Sequence, residues 1–509
     1  MTKNARESCT ENPVYSYHRF IYPFIYKQKL DTVISDNKKW QEDVIVENEN
    51  SLFIQDDKMT KKLKWDYACF QYFNKSARKA LLVSGKNVNC YKYKLDTGCT
   101  YEIKVKTEDN PFVLNLTGVK LKLYPGTSIG ILMYETEYRP DFNLTEEEKR
   151  RIVKSINEYG RRIYPEFIPE YENSYFLCAE SISIKSDKRS IVDNFWERSF
   201  NKDGSLPEYI RKPALIPNIV KEILGCTDDL IESAIDDRMF SCCVIRDKKL
   251  VDYFRESPSY LENTKKAKEL YAIINCDPAN SRCQDADMVE ECLKKQLYKR
   301  WYDYGTIYAF TNHSMVCLTG EDSRQNDVVV GPFLTEYIQM CILVIVQRAS
   351  LIAFDVKINE AVKDEDKTEK LIEEFTHFQG QIMIPEVTSQ IQGIEIYRKL
   401  QKMLFIKELE SDLQLQIQNL FEIRESQKAS RQQRADNILG AIGGAIGIIA
   451  ISSACIDLYD FMLTFSNDEN PWFLSWVSLG VNLAAAFAFA LGAFHIIKWL
   501  VNRKDKNKK

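Results

Sequence analysis

The sequence predicts an α+β domain, a long helical stalk and two C-terminal membrane-spanning helices. Three observations support this fold class: strand-like alternation mixed with helical patterns, a long amphipathic pattern after it, and two apolar segments near the C-terminus. They predict a mixed α/β domain over 1–330, a helical region with the stalk over 331–436, a first span over 437–464, an outer loop over 465–471, a second span over 472–500 and a basic tail over 501–509.

Composition excludes several function classes. The 509-residue chain has a formal net charge of −4, so no nucleic-acid partner is expected. Its 14 cysteines form no CxxC pair and its 4 histidines are scattered, which favours reduced thiols and argues against a His-rich metal site. The N-terminus lacks the apolar region of a signal peptide. There is no GxxxxGK[ST], GxSxG or HExxH motif, so we do not expect an enzyme.

The first 330 residues contain clear strand and helix signatures. Alternation over 101–124 and the apolar run over 128–136 predict neighbouring strands. Thr145 precedes acids and then bases, which is typical of a capped helix N-terminus. A further strand is predicted over 239–247, and a last strand pair over 305–320.

Two helical patterns follow. The helix over 332–362 contains an apolar run, but Gln347 and Arg348 interrupt it, so we expect a buried helix and not a span. No glycine or proline interrupts residues 394–436. At 1.5 Å per residue this amphipathic pattern predicts a rod of about 65 Å that enters the first span directly. Self-association would cover such a rod.

The two apolar segments have the length and flanks of membrane spans. The first, Ile438–Ile456, is 19 residues long, and the second has tryptophans near its ends. The link between them has four acids and no Lys or Arg, whereas basic residues lie on the outer sides. The positive-inside rule then predicts a multi-pass protein of the cell inner membrane with both termini in the cytoplasm. A soluble helical hairpin is the alternative.

Small residues lie along one face of the first span. At 100° per residue its four glycines fall in a sector about 100° wide. Such a face serves either close helix packing or the wall of a pore, and in a ring it serves both. The two spans of one chain cannot enclose an ion path, so conduction would require several copies of the chain. The predicted pore-lining residues are Asp436, Asn437, Gly440, Gly443, Gly444, Gly447, Asp457 and Asp460.

Ligand-binding candidates lie in the α/β domain and before the stalk. Arg161 and Arg162 are adjacent and suit bidentate phosphate binding, although surface or subunit salt bridges are the favoured explanation. His313 lies in the turn of the last strand pair, where a histidine more often serves the fold than binds a ligand. The candidates before the stalk, which are also suited to helix capping and subunit contacts, are Glu386, Gln390 and Gln392.

Several stretches, in the same order of elements, resemble the CorA family of divalent-cation transporters. They include "SIGILMYETEY", "INEYGRRIYPEF", "RWYDYGTIYAFTNHSMVCLTG", "ILVIVQRASLIAFD" and "FTHFQGQIMIPEVTSQIQGIEIYRKLQ". The resemblance runs from about residue 120 to the C-terminus. It implies a homopentamer in membrane lipid, with the first span around a central pore.

One departure from that family bears on function. The Gly-Met-Asn signature, which in the family holds hydrated magnesium at the outer mouth, is replaced here by "DFMLTFSNDENPW". Some CorA-like proteins accompany type III CRISPR systems and are regarded as membrane effectors switched by a nucleotide messenger. The resemblance therefore implies a channel-like effector in antiviral defence that a cytosolic ligand gates, with the 1–330 domain as its sensor. The alternatives are a divalent metal cation transporter that senses its cation and a non-conducting membrane-tethered scaffold.

Overall fold

The structure, a computed structural model, describes residues 12–43, 61–161, 179–194, 216–235, 238–277, 283–361 and 365–465, with several helical positions between 476 and 494. The fold is α+β, as the mixed patterns predict. The chain divides into two compact units, which we call the N-terminal unit (Met1–Ile417) and the C-terminal unit (Gln418–Lys509).

The strands form the centre of the N-terminal unit. They are β1 (Ser16–Tyr26), β2 (Trp40–Glu42), β3 (Asn89–Tyr93), β4 (Thr100–Lys104), β5 (Phe112–Tyr124), β6 (Ile129–Tyr138), β7 (Ser181–Lys185), β8 (Ser190–Asn194), β9 (Ile231–Ser233), β10 (Phe240–Arg246), β11 (Leu297–Tyr298), β12 (Ile307–Phe310) and β13 (Ser314–Thr319).

The helices precede, connect and follow these strands. They are α1 (Lys29–Asp36), α2 (Lys61–Tyr72), α3 (Lys75–Leu81), α4 (Glu146–Tyr159), α5 (Asn218–Leu224), α6 (Lys248–Arg255), α7 (Thr264–Ile274), α8 (Ala286–Gln296), α9 (Ser323–Gln325), α10 (Ile338–Ala361), α11 (Glu365–Gln381), α12 (Ile391–Met403) and α13 (Ile406–Phe465).

One mixed sheet joins all of these strands in the order β11-β12-β13-β10-β1-β6-β5-β4-β7-β8, with β2 paired to β3, β3 to β5 and β9 to β1. The β10–β13 pair is parallel and the other described pairs are antiparallel. β1 is central and buried along almost its whole length. The predicted strands around 101–136, 239–247 and 305–320 are confirmed as β4 to β6, β10, and β12 with β13.

The start of α4 confirms the predicted cap. The Thr145 backbone N–H donates to Glu148 Oε2 over 2.8 Å, and the Glu148 N–H donates to Thr145 Oγ1 over 3.3 Å. This reciprocal pair satisfies two backbone donors that the first turn leaves open. The cap thereby fixes where the chain enters α4, whose far end contributes to the pocket described below.

α10 is a buried core helix, as predicted. In the described part of the chain, one helix, Asp327–Asn359, is long and apolar enough to cross a membrane, and 78% of its most apolar window is buried. Gln347 is fully buried, and its Nε2 donates to the Ile382 carbonyl at 2.9 Å and to the Tyr397 hydroxyl at 2.8 Å. Hydrogen bonds therefore satisfy the amide that interrupts the apolar run.

The predicted rod over 394–436 is wrong at its beginning. α12 ends at Met403, and a separate helix, α13, continues unbroken from Ile406 to Phe465. Phe405 has a φ of 57°, and no nearby glycine or proline predicts a turn at this position. Its neighbours Leu404 and Ile406 are 1% and 0% exposed, so burial of these two side chains imposes the turn on a sequence with helical propensity.

A buried histidine network makes the N-terminal unit sensitive to acid. His18 Nδ1–H donates to Asn157 Oδ1 at 2.9 Å, and the Ser16 hydroxyl donates to His18 Nε2 at 2.8 Å, an arrangement that needs the neutral ring. Burial lowers the pKa of His18 to about 4. Below the unfolded-state pKa of His18, near 6.5, the unfolded chain binds a proton that the folded chain excludes. The stability of the fold therefore decreases as the pH is lowered.

We expect His18 to lower the free energy of unfolding by about 3 kcal/mol between pH 6.5 and 4. His18→Gln, which cannot titrate, should be less stable at neutral pH but should lose about 3 kcal/mol less on acidification. Urea unfolding of the full chain, followed by tryptophan fluorescence with Trp40 buried in the core, measures both profiles. Parallel profiles for the two proteins would contradict this assignment.

Candidate functional site

A small pocket rich in cations lies in the N-terminal unit. Its volume is about 90 Å³. Three arginines and a histidine contribute to its walls, and the described residues that line it include no Asp or Glu. We call it the basic pocket; its lining residues are Pro23, Arg161, Ile235, Arg238, Met239, Phe240, Asn312, His313, Ile345, Arg348 and Leu404.

Arg161 enters the pocket from the end of α4. The Gly160 carbonyl accepts a hydrogen bond from the Tyr101 hydroxyl at 3.1 Å, and the Arg161 carbonyl accepts one from the Met239 N–H at 2.7 Å. These two hydrogen bonds fix the backbone at Gly160 and Arg161, which carries the Arg161 side chain. Arg161 is only 3% exposed.

His313 enters from the tight turn between β12 and β13. The Thr311 N–H donates to the Ser314 carbonyl at 2.8 Å, and the Ser314 N–H donates to Thr311 Oγ1 at 2.9 Å, which closes the turn. His313 Nε2 donates to the Asn275 carbonyl at 2.8 Å, and His313 Nδ1 lies 2.6 Å from Asn312 Oδ1. The ring is thus held in one orientation at the pocket wall.

α10 supplies the opposite wall. Arg348 Nη1 donates to the Asn312 carbonyl at 3.1 Å, which joins α10 to the tip of the β12–β13 turn. Ile345, 1% exposed, lies one turn earlier on the same helix. Arg348 is partly exposed, so its guanidinium reaches both the turn and solvent.

The histidine network lies next to the pocket and links two of its walls. Asn157 Oδ1, which accepts from His18, also accepts from the Ser241 hydroxyl at 3.2 Å. The Ser241 N–H donates to the His313 carbonyl at 3.0 Å. Through these contacts α4, β10 and the β12–β13 turn, which carry residues of the basic pocket, are held at fixed spacing.

Two of the predicted ligand-binding residues meet in this pocket. Arg161 and His313 are brought together from positions 152 apart in sequence, whereas Arg162 lies outside the described residues. Sequence reasoning missed Arg238 and Arg348. For Arg348 a signal existed, since a charged residue within an apolar helix needs a polar environment. For Arg238 we find no such signal.

The three candidates before the stalk lie elsewhere. The Glu386 carbonyl accepts a hydrogen bond from the Asn74 side chain. Gln390 occupies the N-cap position of α12, but its side chain makes no capping hydrogen bond, and its N–H donates to Thr388 Oγ1 at 3.2 Å. Gln392 lies in the first turn of α12. None of the three lines the basic pocket.

The predicted pore residues lie on α13 in the C-terminal unit. Asp436, Asn437 and Asp457 are exposed, and the side chain of Asp460 lies outside the described residues. A Cβ built on each of the glycines would meet nothing within 4 Å in the described part of the chain; these glycines are Gly440, Gly443, Gly444 and Gly447.

Comparisons with known proteins found no match for this chain among protein-family models, curated proteins or solved structures. Among the residues that the structure describes, no group of three or more His, Cys, Asp or Glu side chains could hold a metal ion. The arrangement of the basic pocket suits one kind of chemistry, the binding of a small oxyanion by several guanidinium groups.

Proposed function

We propose that the chain is a two-span membrane protein that assembles into a CorA-like ring, and that this ring opens an ion path when a cytosolic ligand binds the N-terminal unit. The main support for this proposal comes from α13, in which the uncharged stretch 437–456 leaves large apolar side chains exposed. Exposed apolar surface of this extent is typical of membrane or protein contact.

The two faces of this stretch differ in character. The large aliphatic side chains Ile438, Leu439, Ile442 and Ile446 are between 46% and 66% exposed. At 100° per residue they fall in one sector, and the four glycines fall in another on the opposite side. A bulky face suits lipid, and a small-residue face suits a close neighbour or a pore axis. This two-sided pattern supports a ring over a lone helix.

The second predicted span also exposes apolar side chains at its described positions. Trp476, Leu483, Phe487 and Phe494 are between 60% and 70% exposed. Their spacing of seven, four and seven residues places them near one face of a helix. Lipid would cover these side chains, which supports the two-span arrangement.

The basic pocket supports ligand gating. It lies in the unit that carries most of the chain, and an anchor alone needs no such cationic pocket. The proposed ligand is anionic, in keeping with a nucleotide messenger. Antiviral defence in a type III CRISPR setting is the biological role that we propose for this gating.

Topology gives the first test of the proposal. The charge pattern predicts that Ser466→Cys reacts with a membrane-impermeant maleimide added outside intact cells and that Lys504→Cys reacts only after permeabilisation. Both positions lie outside the described residues. The unmodified chain, with its 14 native cysteines, is the labelling control. The reverse pattern, or equal labelling of both sites in intact cells, would reject the two-span arrangement.

A further inference from the structure

We propose that a pocket between α7 and α8 binds a small zwitterion, an α-amino acid with an apolar side chain. This α7–α8 pocket has a volume of about 160 Å³ and shares no lining residue with the basic pocket. The lining residues that would contact the ligand are Tyr260, Ala267, Asp287, Leu293 and Lys299. The site goes beyond the proposed function, because binding there involves the N-terminal unit alone and needs no ion path.

The floor of the α7–α8 pocket is apolar. The loop between α6 and α7 supplies Tyr260, which is 3% exposed and whose N–H donates to the Phe254 carbonyl at 3.0 Å. α7 supplies Ala267 and α8 supplies Leu293, which are 8% and 2% exposed. An aliphatic group in the pocket would therefore leave water and lie against buried carbon atoms.

Most charged groups at the rim are already paired within the protein. Lys294 Nζ lies 2.6 Å from Glu290 Oε1, one turn earlier on α8. Glu262 Oε2 accepts a hydrogen bond from the Ser259 N–H at 2.8 Å, which closes the loop before α7. These groups form the walls, and their charges are compensated.

Two lining charges of opposite sign remain. Asp287 lies in the first turn of α8, and its carboxylate has no ion pair or hydrogen bond in the part of the chain that the structure describes. Lys299 Nζ lies 5.8 Å from the centre of the Tyr260 ring and has no ion-pair partner among the described residues. A ligand with one charge would pair with only one of these groups, whereas a zwitterion would pair with both.

The Tyr260 hydroxyl adds a hydrogen-bond donor without an acceptor. This hydroxyl is buried and makes no hydrogen bond to any described residue. Burial raises the pKa of Tyr260 to about 12, so the hydroxyl keeps its proton at neutral pH, and an unpaired buried donor costs free energy. The neighbouring Leu261 is 54% exposed, so a small shift of this loop loses little packing and brings the hydroxyl to the ligand carboxylate beside Lys299.

The size of the α7–α8 pocket restricts the ligand to a compact molecule. Its volume equals roughly five waters at about 30 Å³ each and is below the roughly 300 Å³ at which sites for larger ligands begin. A nucleotide is therefore excluded. Leucine has an aliphatic side chain for the floor, and its ammonium and carboxylate are close enough together to reach the rim from one position, so L-leucine is the probe of choice.

Calorimetric titration of the full chain tests whether both charges of the ligand are recognised. We expect L-leucine to bind. Leucine methyl ester lacks the negative charge and 4-methylpentanoate lacks the positive charge, and each should bind at least about tenfold more weakly, because each loses a hydrogen bond to a charged group.

Two variants assign the charges to residues. Asp287→Asn should weaken leucine binding about tenfold and leave 4-methylpentanoate unaffected, since that probe has no ammonium group. Lys299→Gln should weaken leucine about tenfold and leave the methyl ester unaffected. Lys295→Gln is the matched control, because Lys295 is exposed on α8, pairs with Glu291 and does not line the pocket.

Tyr260→Phe separates a ligand contact from a structural role. We expect this variant to bind leucine about fivefold more weakly. Without leucine its melting temperature, followed by tryptophan fluorescence, should be unchanged or higher, because the substitution removes an unpaired buried hydroxyl. A lower melting temperature would show that the hydroxyl serves the fold and would overturn its role as a donor to the ligand.

The remaining outcomes decide the site itself. Absence of leucine binding by the unchanged protein, or equal affinity for leucine and both analogues, would overturn the zwitterion site. Equal weakening of leucine and 4-methylpentanoate by Asp287→Asn would assign Asp287 to the α8 N-terminus, where an acid stabilises the helix, and would overturn its contact with the ammonium.

Discussion

Gly444→Leu is expected to abolish ligand-dependent ion flux while leaving the assembly intact. The reason is steric, because a Cβ at Gly444 points into open space within the single chain, where a pore or a neighbouring copy would lie. In a ring of about five copies, as the CorA resemblance implies, each leucine adds its bulk at one level of the path. Leucine also favours a helix over glycine by about 1 kcal/mol, so the helix itself should not suffer.

Proteoliposomes loaded with an ion-sensitive dye measure the flux, and mass photometry in detergent measures the assembly. Ala441→Leu is the matched control, because it adds the same bulk on the same helix but about 110° from the centre of the glycine face. We expect it to retain flux. Full flux through an intact Gly444→Leu assembly would exclude the glycine face as the pore wall, and a clean monomer of the unchanged protein would exclude conduction altogether.

Local patterns predicted the parts of the fold that local interactions decide. The alternation in the first half of β5 follows from one buried face, the apolar run of β6 follows from burial of both faces, and the Thr145 cap needs only residues within one helical turn. Burial of α10 was also predictable, since its apolar residues surround the helix and leave no polar face for water.

Two long-range features escaped the sequence reading. Pro23 argues against a central strand, yet β1 is central, because its pairing with β10 ends at Ile21 and its pairing with β9 begins at Phe24. Pro23 thus lies between these two pairings, where no strand on that side of β1 needs a backbone N–H donor from it. The turn at Phe405 escaped for a related reason, since packing and not a turn residue imposes it.

The sequence predicted two of the four cationic residues that line the basic pocket. Adjacent arginines and a histidine in a turn drew attention to Arg161 and His313 because of their residue types. Their meeting with Arg238 and Arg348 depends on how α4, β10, the β12–β13 turn and α10 pack together. No short motif encodes that packing, so the pocket emerges only in three dimensions.

Expression of this chain is expected not to restore growth of a bacterial strain that lacks magnesium transport. In the family that it resembles, a Gly-Met-Asn signature after the first span holds hydrated magnesium, and this chain has no such tripeptide there. Magnesium gives up its waters reluctantly, so a mouth without fitted polar groups should discriminate poorly in its favour. Exposed Asp457 would attract cations in general without selecting among them.

A CorA transporter that carries the tripeptide, expressed in the same strain, is the positive control and should restore growth. Proteoliposomes then separate the alternatives directly, with magnesium and potassium flux measured with and without AMP as the probe. We expect little flux of either ion without ligand, and a poorly selective flux with it, because the gate and not the mouth controls passage. Magnesium-selective flux in the absence of ligand, together with restored growth, would contradict the effector proposal and favour the divalent-cation transporter.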